Sequence, residues 1–397
     1  MCGTYGSSLL DLSVESTKNN IFKRKNVQLL SRVTTDQLGG KEAKGSDIWG
    51  WHDRKENRDY AIVALTTGTA FVDITRGRRP RLVGMMPSET GESSWRDVKT
   101  RRNYAYVVSD RNGSHGLQIF DLKRLRGASR GQKFTPDRTY RGIKNAHNIA
   151  IHDRYVYVVG ALKMDGLDSR TLANGGLHIL DVRNPLRPVP VGAYRKDGYI
   201  HDTQVVEYKG PDRKWSGKTI AFNSAADSFS IVSLESKKKP FRISASAYAD
   251  AGFIHQGWLS EDHRFFFAND SKDEINAEGK NKPRMRIWDV RRLKRPRYLG
   301  FYEGNEASVD HNLYVKDDLI YQANYSSGLR VVRMQESGGK DSSLQLEEVA
   351  YIDTYPQRKN AEIQAGAWSA YPYFDDKLIV GDTLNGLFVA KLSFPTV

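Results

Sequence analysis

Four histidines recur along the chain at nearly equal intervals of 54, 54 and 56 residues. They are His147, His201, His255 and His311. A polar side chain follows each of them: Asn148, Asp202, Gln256 and Asn312. Imidazole nitrogens bind divalent ions such as zinc, copper and iron, and polar neighbours orient the second ring nitrogen. Four histidines at one position of a repeated fold therefore predict an axial metal site.

Three further residues continue this spacing on either side of the histidines. Asp47, Asp97 and Trp368 are predicted to share the same channel position. The candidate general bases for a metal-dependent reaction are Asp97, Asp202 and Asp310. The alternative is that the histidines are neutral hydrogen-bonding side chains in a wet channel. The remaining histidines are expected to be structural or exposed, and they are His52, His115, His152, His178 and His263.

The histidine spacing follows a longer internal repeat. One short β-rich motif occurs seven times, about 50 residues apart. The copies are Gly68–Ile74, His115–Leu122, Gly175–Val182, Ser228–Leu234, Met285–Val290, Ser327–Met334 and Asn385–Leu392. This period, with Asp, Gly, Asn and Pro at the joins, is typical of four-stranded propeller blades. In the third unit, strands are predicted at His147–Ile151, Tyr155–Ala161, Leu177–Val182 and Val189–Tyr194.

The last unit lacks a fourth strand, because only five residues follow Asn385–Leu392. A spare strand, Asn26–Val33, precedes the first unit. Pairing of this strand with the last unit would close the ring and remove exposed sheet edges. The sequence therefore predicts an all-β fold, a single seven-bladed β-propeller over residues 26–397, after an N-terminal extension over residues 1–25.

Two other groups of residues suggest binding sites. Asn269, Asp270, Asp273 and Glu274 supply dense oxygen ligands of the kind that calcium prefers, although EF-hand spacing is absent and a solvated acidic loop is the favoured alternative. Four tryptophans are expected near one end of the channel, where they stack on sugar rings or pack between blades: Trp49, Trp51, Trp258 and Trp368. The sequence has no P-loop, GxSxG or HExxH motif, so no nucleotide cofactor is predicted.

The chain is basic, with a formal net charge of +14. Several basic runs fall where the turn between the third and fourth strands is expected: Arg76–Arg81, Lys123–Arg126, Lys237–Lys239 and Arg291–Arg297. Such turns lie at the opposite end of a blade from the start of its innermost strand. Arg78, Arg79, Arg292 and Arg295 are thus predicted to bind an anionic polymer on the face opposite the histidines.

Compartment is less clearly marked in the sequence. No apolar run approaches the roughly 20 residues of a membrane helix, and no signal peptide is visible at the start. Cys2 is the single cysteine, so the redox compartment cannot be read from disulfides. The chain is expected to be either cytosolic or the mature form of an exported protein.

Several motifs together resemble the choice-of-anchor B family of LVIVD-repeat propellers. They are Ser46–Trp51, Trp95–Lys99, Gly175–Pro188, Tyr199–Asp212, Ile254–Trp258, Asp310–Val315, Asn324–Arg330 and Gly366–Phe374. The resemblance implies an exported or surface-held bacterial propeller, and it implies no particular reaction. It favours an extracellular or cell-surface location for this chain.

Two functions remain open at this stage. One is metal-dependent catalysis at the axial histidines. The other is a non-catalytic interaction disc that binds a protein or an anionic polymer through its rim loops and basic face. An axial metal cage with an open coordination position favours the enzyme, and a channel filled with aromatic side chains and water favours the disc.

Overall fold

A computed structural model describes residues 21–162, 175–225, 227–249, 251–276, 282–336, 344–357 and 362–395. The first half of this chain forms strands and one helix. They are β1 (Arg24–Lys25), β2 (Val27–Val33), α1 (Thr35–Gly39), β3 (Gly45–Asp53), β4 (Arg58–Leu65), β5 (Gly68–Asp73), β6 (Arg81–Pro87), β7 (Arg96–Arg101), β8 (Tyr104–Ser109), β9 (Leu117–Asp121), β10 (Gln132–Lys133), β11 (Arg138–Tyr140), β12 (Asn148–His152), β13 (Tyr155–Val159), β14 (Leu177–Asp181) and β15 (Val189–Tyr194).

The second half is built in the same way, with one short helix on the side of the disc where the innermost strands begin. Its elements are β16 (Asp202–Glu207), β17 (Thr219–Ala225), β18 (Ser228–Ser233), β19 (Phe241–Ser246), β20 (Ile254–Leu259), β21 (Phe265–Asp270), α2 (Ser271–Asn276), β22 (Arg284–Asp289), β23 (Arg297–Glu303), β24 (Leu313–Lys316), β25 (Leu319–Ala323), β26 (Leu329–Glu336), β27 (Leu344–Ile352), β28 (Ala367–Tyr371), β29 (Leu378–Asp382) and β30 (Gly386–Leu392). A 3₁₀ helix spans Leu122–Leu125.

The strands of the described chain form seven antiparallel blades around one axis. From the axis outward, the blades are β3–β4–β5–β6, β7–β8–β9–β11, β12–β13–β14–β15, β16–β17–β18–β19, β20–β21–β22–β23, β24–β25–β26–β27 and β28–β29–β30–β2. Short strands lengthen two edges: β10 pairs in parallel with β6, and β1 pairs with β27. The predicted all-β, seven-bladed propeller is confirmed.

Closure of the ring by an N-terminal strand is also confirmed. β2 pairs with β30, with Val27 opposite Leu392 and Val33 opposite Leu387. The strand supplies the outer edge of the seventh blade, which the last repeat lacks. Residues that precede the predicted start at residue 26 also join the fold, because Phe22 is buried and Arg24–Lys25 pairs in the sixth blade.

The hydrophobic core is a ring of separate cores between neighbouring blades. Each pair of adjacent blades shares one cluster of buried apolar side chains in the described chain. Both faces of a blade are therefore buried, which explains apolar runs such as Tyr155–Val159. A fully buried aliphatic or aromatic side chain contributes about 1.5–3 kcal/mol, so these interfaces hold the ring together.

The aspartate that ends four of the repeat motifs has a structural task. Its side chain accepts a hydrogen bond from the backbone N–H two residues later, at the turn between the third and fourth strands. The pairs are Asp73–Thr75, Asp121–Lys123, Asp181–Arg183 and Asp289–Arg291, at 2.8–3.0 Å. This is an Asx turn, for which aspartate is well suited. The repeat motif thus encodes the turn and not a site.

The two faces of the disc are distinguished by the innermost strands. We call the face where these strands begin the upper face and the face where they end the lower face. The turns between first and second strands, and those between third and fourth strands, lie on the lower face. α2 lies on the upper face, because it directly follows the second strand of the fifth blade.

Candidate functional site

The four histidines occupy one position at the start of consecutive innermost strands. Side chains at this position bond to the backbone carbonyl of the equivalent residue in the next blade. Ser46 Oγ donates to Arg96 O at 3.0 Å, His201 Nδ1 to His255 O at 2.7 Å, and His311 Nδ1 to Trp368 O at 2.5 Å. These contacts define an axial ring: Ser46, Arg96, His147, His201, His255, His311 and Trp368.

Asp47 and Asp97 do not belong to this ring, so the predicted register is wrong by one residue in the first two blades. Their carboxylates accept backbone N–H bonds one step lower, from Val98 at 3.5 Å and Ile149 at 2.7 Å. They share a second layer with Asn148, Asp202, Gln256, Asn312 and Ser369. The ring residues Arg96 and His147 are 51 residues apart, one more than the predicted interval, so extrapolating the 50-residue spacing back from His147 falls one residue late in the first two blades.

The four imidazoles stand close together in an arc. Neighbouring ring centroids are 4.0 Å apart for His147–His201, 4.1 Å for His201–His255 and 4.3 Å for His255–His311. Three of the Nδ1 atoms are anchored: those of His201 and His311 as above, and that of His147, which donates to Asp110 Oδ2 at 2.9 Å. Anchoring through Nδ1–H fixes the tautomer and leaves Nε2 of these three rings as an acceptor.

Burial keeps three of these histidines neutral. It lowers the pKa of His201 and of His255 well below the usual value, and the neighbouring imidazoles lower both further. Burial lowers the pKa of His311 to about 4. At neutral pH these three rings therefore present lone pairs and not positive charge, an arrangement that attracts cations and hydrogen-bond donors.

Below the ring lies a small axial chamber of about 20 Å³, lined by the four histidines, Asp47, Asp97, Asn148 and Asn312. This is room for one water-sized particle. The chamber floor holds a buried ion-pair group. Lys99 Nζ is 2.9 Å from Asp47 Oδ2 and also contacts Asp97. Burial raises the pKa of Asp97, helped by Asp47. Burial also acts to raise the pKa of Asp47, but the charge of Lys99 and hydrogen bonds with Asp97, Lys99 and Ser369 together lower it.

The metal prediction for the ring stays a prediction. Two imidazoles side by side on one ion at about 2.1 Å have ring centres roughly 4.5 Å apart, so neighbouring pairs in the arc are close to that spacing. Within the described ranges, however, no three His, Cys, Asp or Glu side chains stand in metal-ligating geometry. Four-fold ligation would need the rings to draw inward.

The three candidate bases lie in three different places. Asp97 lines the axial chamber. Asp202 accepts a 2.6 Å hydrogen bond from Asn148 Nδ2 and faces the lower side of the channel, where burial raises its pKa to about 7. Asp310 is fully buried away from the axis, between the fifth and sixth blades. They therefore do not form one catalytic group.

Above the histidines is an upper bowl of about 480 Å³ with largely apolar walls, among them Trp95, Tyr199 and Phe253. Leu162, Ile275 and Ile363 also line it, and each is close in sequence to residues outside the described ranges: 163–174, 277–281 and 358–361. The structure thus describes the wall of the upper bowl only in part.

At the opposite end of the channel, a lower cup of about 580 Å³ opens on the lower face. Four aromatic rings form one connected wall, with centroid distances of 5.6 Å for Trp49–Tyr314, 5.0 Å for Trp258–Tyr314 and 6.2 Å for Trp49–Tyr373. All residues that line this cup belong to the described part of the chain. The lower cup is therefore a complete, open pocket.

Polar groups converge on the deep end of the lower cup. They are the Asp202 carboxyl, the Gln204 side chain and Lys99, whose Nζ also lies 4.6 Å from the centre of the Trp49 ring. Gln204 is anchored, since its Oε1 accepts the Leu259 N–H at 2.9 Å. An apolar pocket with few convergent polar groups and a perturbed carboxyl is the usual form of a small-molecule site.

Sequence reasoning missed most of this cup, although a signal existed. Side chains alternate along a strand, so residues two positions after the second layer point into the channel again. Those positions are Trp49, Lys99, Ala150, Gln204, Trp258, Tyr314 and Tyr371. Five of them line the lower cup with aromatic or polar side chains.

The four tryptophans predicted near one channel end are separated. Trp49 and Trp258 line the lower cup. Trp51 is packed between the first two blades, where its Nε1 donates to Arg102 O at 2.9 Å. Trp368 lies in the upper ring against His311. The prediction of one cluster is wrong because the four rings lie at different heights: Trp51 is two residues further along β3 than Trp49, and Trp368 belongs to the ring at the upper end.

The acidic residues of the fifth blade do not form a solvated loop. Asn269, Asp270 and Glu274 are fully buried, and Asp273 is mostly covered and bound to Arg286. The favoured alternative from sequence is therefore wrong, since this segment packs under α2 against the sixth blade.

Arg78, Arg79, Arg292 and Arg295 are exposed in turns between third and fourth strands. Those turns lie on the lower face, together with the lower cup and opposite the histidines. These four arginines lie further from the axis than the cup, whose own lining includes the carboxyl groups of Asp202, Glu207 and Glu261.

Comparison with known proteins supports the fold and goes no further. No profile of a known protein family and no curated protein matches the chain. Among solved structures, hydrazine synthase of Kuenenia stuttgartiensis is similar, with 11% identity, a TM-score of 0.55 and coverage of 84% of this chain and 92% of that one. The β-propeller domain of Cps50 (Swd1) of Myceliophteria thermophila has 10% identity, a TM-score of 0.50 and coverage of 87% and 96%.

A protein from Lactobacillus plantarum is similar at 11% identity, with a TM-score of 0.54 and coverage of 84% and 88%. At such low identity, these likenesses concern the propeller fold alone. The resemblance to the choice-of-anchor B family therefore rests on the sequence motifs. In the described residues, no helix is both long and apolar enough to cross a membrane.

Proposed function

We propose that this propeller is a binding protein for acidic polysaccharide, and that the lower cup holds a sugar unit. The observation that carries the proposal is the open cavity of about 580 Å³ with aromatic walls and a polar floor. A sugar ring has apolar faces and polar edges. Aromatic walls contact such faces, and buried polar groups bond to the hydroxyls.

The side chains of the lower cup fit this role. Trp49, Trp258 and Tyr373 are partly exposed, so their rings have surface left for a ligand. Asp202 and Gln204 supply acceptor and donor groups beside them. A sugar seated on the wall would thus meet polar partners at its edge.

The charge of the lower face favours an anionic chain over a neutral one. The exposed turns with Arg78, Arg79, Arg292 and Arg295 lie on the same face as the cup. A polymer that crosses this face would place one unit in the cup and its carboxylate or sulfate groups near the basic turns. Such long-range attraction weakens as salt screens it.

Calorimetric titration with trigalacturonate and with cellotriose tests the proposal. We expect the acidic trimer to bind more tightly, and Trp258→Ala to weaken it about tenfold, since one aromatic contact contributes roughly 0.5–1.5 kcal/mol. Tyr199→Ala is the matched control, because Tyr199 is an exposed aromatic residue of the upper bowl. Absence of binding at millimolar sugar, or equal loss in both variants, would contradict the proposal.

A divalent metal at the axial ring is a second candidate function. It is supported by the Nδ1 anchoring of His147, His201 and His311, which leaves neutral Nε2 acceptors beside the chamber. Zinc, copper and iron suit imidazole ligands. The upper bowl would then give a substrate access to the ion.

Metal analysis of protein purified without an affinity tag tests this second candidate. We expect near-stoichiometric zinc, copper or iron, which His201→Ala and His255→Ala should remove. His52→Ala is the control, because His52 is exposed on the lower face. Metal-free protein that also fails to bind these ions on titration would reject the candidate.

A further inference from the structure

A group of buried oxygen atoms between the fifth and sixth blades lies outside the channel. α2 begins directly after β21 and carries Glu274, which is fully buried. Asp310 comes from the segment that leads into β24, and it is fully buried as well. Burial, the carboxyl of Asp310 and that of Asp273 raise the pKa of Glu274 to about 12. These acids therefore share one poorly solvated region.

Hydrogen bonds separate the acids of this region into two kinds. Asp270 is satisfied, because Tyr248 OH and the N–H groups of Gly252 and Phe253 donate to it. Asp273 Oδ2 accepts a hydrogen bond from Arg286, but its Oδ1 has no partner among the described residues. The two remaining acids also have unpaired oxygens. Glu274 Oε1 accepts the Arg284 N–H at 3.0 Å, but its Oε2, and both carboxylate oxygens of Asp310, have no hydrogen-bond partner among the described residues.

Two asparagine amides add further acceptors to the same interface. Asn269 is fully buried and donates from Nδ2 to His311 O at 2.9 Å, so it faces the sixth blade, and its Oδ1 has no partner among the residues described. Asn324 is 3% exposed, and its Oδ1 is likewise unpaired within the described chain. By strand alternation it shares the side of β25 that packs on the fifth blade.

The Asp310 segment is tied to both asparagines. Ser308 Oγ donates to Asn324 O, and Ser271 Oγ donates to Asp310 O at 2.9 Å. Burial raises the pKa of Tyr325, next to Asn324, and the carboxyl of Asp310 raises it further. Burial raises the pKa of Asp310 well above its usual value, and the carboxyls of Asp273 and Asp270 raise it further. These contacts place Asn269, Asn324 and the Asp310 segment at the interface of the fifth and sixth blades.

Unpaired acceptors outnumber unpaired donors at this interface. Buried oxygens without a hydrogen-bond partner among the described residues are Glu274 Oε2, Asp273 Oδ1, Asp310 Oδ1, Asp310 Oδ2, Asn269 Oδ1 and Asn324 Oδ1, and Arg286 Nε is an unpaired donor beside Asp273. Arg286 Nε and protonation of Glu274 and Asp310 would supply three donors, which leaves several acceptors still unpaired. A cation bound by Glu274, Asp310, Asn269 and Asn324 would satisfy their oxygens and neutralise the buried charge.

We propose that Glu274, Asp310, Asn269 and Asn324 bind a calcium ion between the fifth and sixth blades. Carboxylate and amide oxygens without nitrogen or sulfur are the donor set of a hard cation, and calcium accepts six to eight of them in flexible geometry. The site is independent of the lower cup and of the histidine metal. It differs from the predicted set of Asp270, Asp273 and Glu274, because Asp270 and Asp273 have protein partners and Asp310 replaces them.

The ion would fix the start of the sixth blade. Asn269 holds the carbonyl of His311, and Asp310 precedes His311 in the chain. Binding in this place would therefore join two neighbouring blades on the upper face. It would also hold one residue of the axial ring in position.

Calcium titration of EGTA-treated protein tests the site by calorimetry and thermal melting. We expect one ion per chain and a melting temperature several degrees higher in calcium than in EGTA. Asp310→Asn and Glu274→Gln, which keep the shape of each side chain, should each weaken calcium binding at least about 30-fold. Asp375→Asn with Asp376→Asn is the matched control, because it removes two exposed carboxylates from the lower face.

Three results would overturn the site: no calcium binding by the wild type, equal preference for magnesium, or unchanged affinity in the Asp310 and Glu274 variants. If these variants do not fold, the calcium content of the wild-type protein is measured after dialysis against buffers of increasing free calcium. Less than one bound ion per chain at saturating free calcium would then reject the proposal.

Discussion

The two mouths of the axial channel are built from the same innermost strands but have opposite chemistry. The upper ring gathers four histidines, three of them held by their Nδ1 atoms, over a chamber of about 20 Å³. The lower cup offers about 580 Å³ lined by aromatic rings and the carboxyl of Asp202. The histidines, which could bind a metal, thus surround the narrow part of the channel. The space for a ligand of the size of a sugar lies in the lower cup.

Electrostatics separates the two mouths as well. Burial lowers the pKa values of ring histidines and raises that of Asp202, so both mouths avoid isolated buried charge. Lys99 stands between them and compensates Asp47 and Asp97. We therefore expect mutation, pH and salt to change the stability and ligand binding of the protein differently at the two mouths.

The largest effect is expected from loss of closure, on which both mouths depend. Deletion of residues 1–35 removes β2 and leaves β30 as a bare edge. We expect aggregated or unfolded protein. Val33→Asp should act in the same direction, since Val33 is fully buried, while Gln28→Lys on the same strand should be tolerated. Soluble truncated protein with unchanged melting would contradict the role of this strand.

Removal of the lysine between the mouths should be the next most severe change. Lys99→Met leaves two buried carboxylates without their cation, which costs about 3–5 kcal/mol of unfolding free energy. Lys316→Met is the matched control, because Lys316 lies on an equivalent strand and donates only to the carbonyls of Pro372 and Phe374. Urea unfolding measures both. Equal losses would show that the carboxylates do not need Lys99.

The two mouths should respond to pH with opposite signs in metal-free protein. The pKa of His311 is about 4 in the fold, below its usual value, so its contribution is full above pH 6.5 and is lost as pH falls. The pKa of Asp202 is about 7, above its usual value, so its contribution is present at low pH and is lost as pH rises towards 7.

Urea unfolding of His311→Gln and Asp202→Asn between pH 4 and 8 measures these slopes. Relative to the wild type, we expect the stability of Asp202→Asn to rise by about 4 kcal/mol from pH 4 to 8, and that of His311→Gln to rise as pH falls. If the unfolding free energies of both variants, relative to the wild type, changed with pH in the same direction, the two mouths would not differ electrostatically as proposed.

The smallest effect is expected at the basic turns. Joint replacement of Arg78, Arg79, Arg292 and Arg295 by serine should weaken heparin binding several-fold and flatten its dependence on salt, because fewer counterions are released. His201→Ala with His255→Ala should leave heparin binding unchanged, since the ring lies on the opposite face. If the histidine variant lost heparin binding and the arginine variant kept it, the polyanion would bind on the upper face, against this prediction.

The sequence was sufficient to predict the propeller, because each copy of the repeat of about 50 residues corresponds to one four-stranded blade. The seven motif copies became third strands, and the strand before the first unit became the missing edge of the seventh blade. Strands of the third blade match the prediction within one or two residues. Alternation and turn residues are local properties, so local pattern reveals them.

The candidate sites were only partly predictable, since they depend on register and on contacts between distant segments. The histidine arc was found, but Asp47 and Asp97 lie one layer lower than predicted, because the interval from Arg96 to His147 is one residue longer than the assumed 50. Asp310 and Glu274 belong to one proposed calcium site although 35 residues separate them in the chain. No motif or regular spacing in the sequence indicates that they are neighbours. The lower cup could not be predicted, because the sequence does not show which ends of the innermost strands remain open to solvent.

The most direct test of the account is a crystal structure of the protein with trigalacturonate. We expect a sugar ring in the lower cup against Trp258 and Trp49, with a hydroxyl bonded to Asp202 or Gln204. Sugar density in the upper bowl above the histidines, with an empty lower cup, would contradict the central claim.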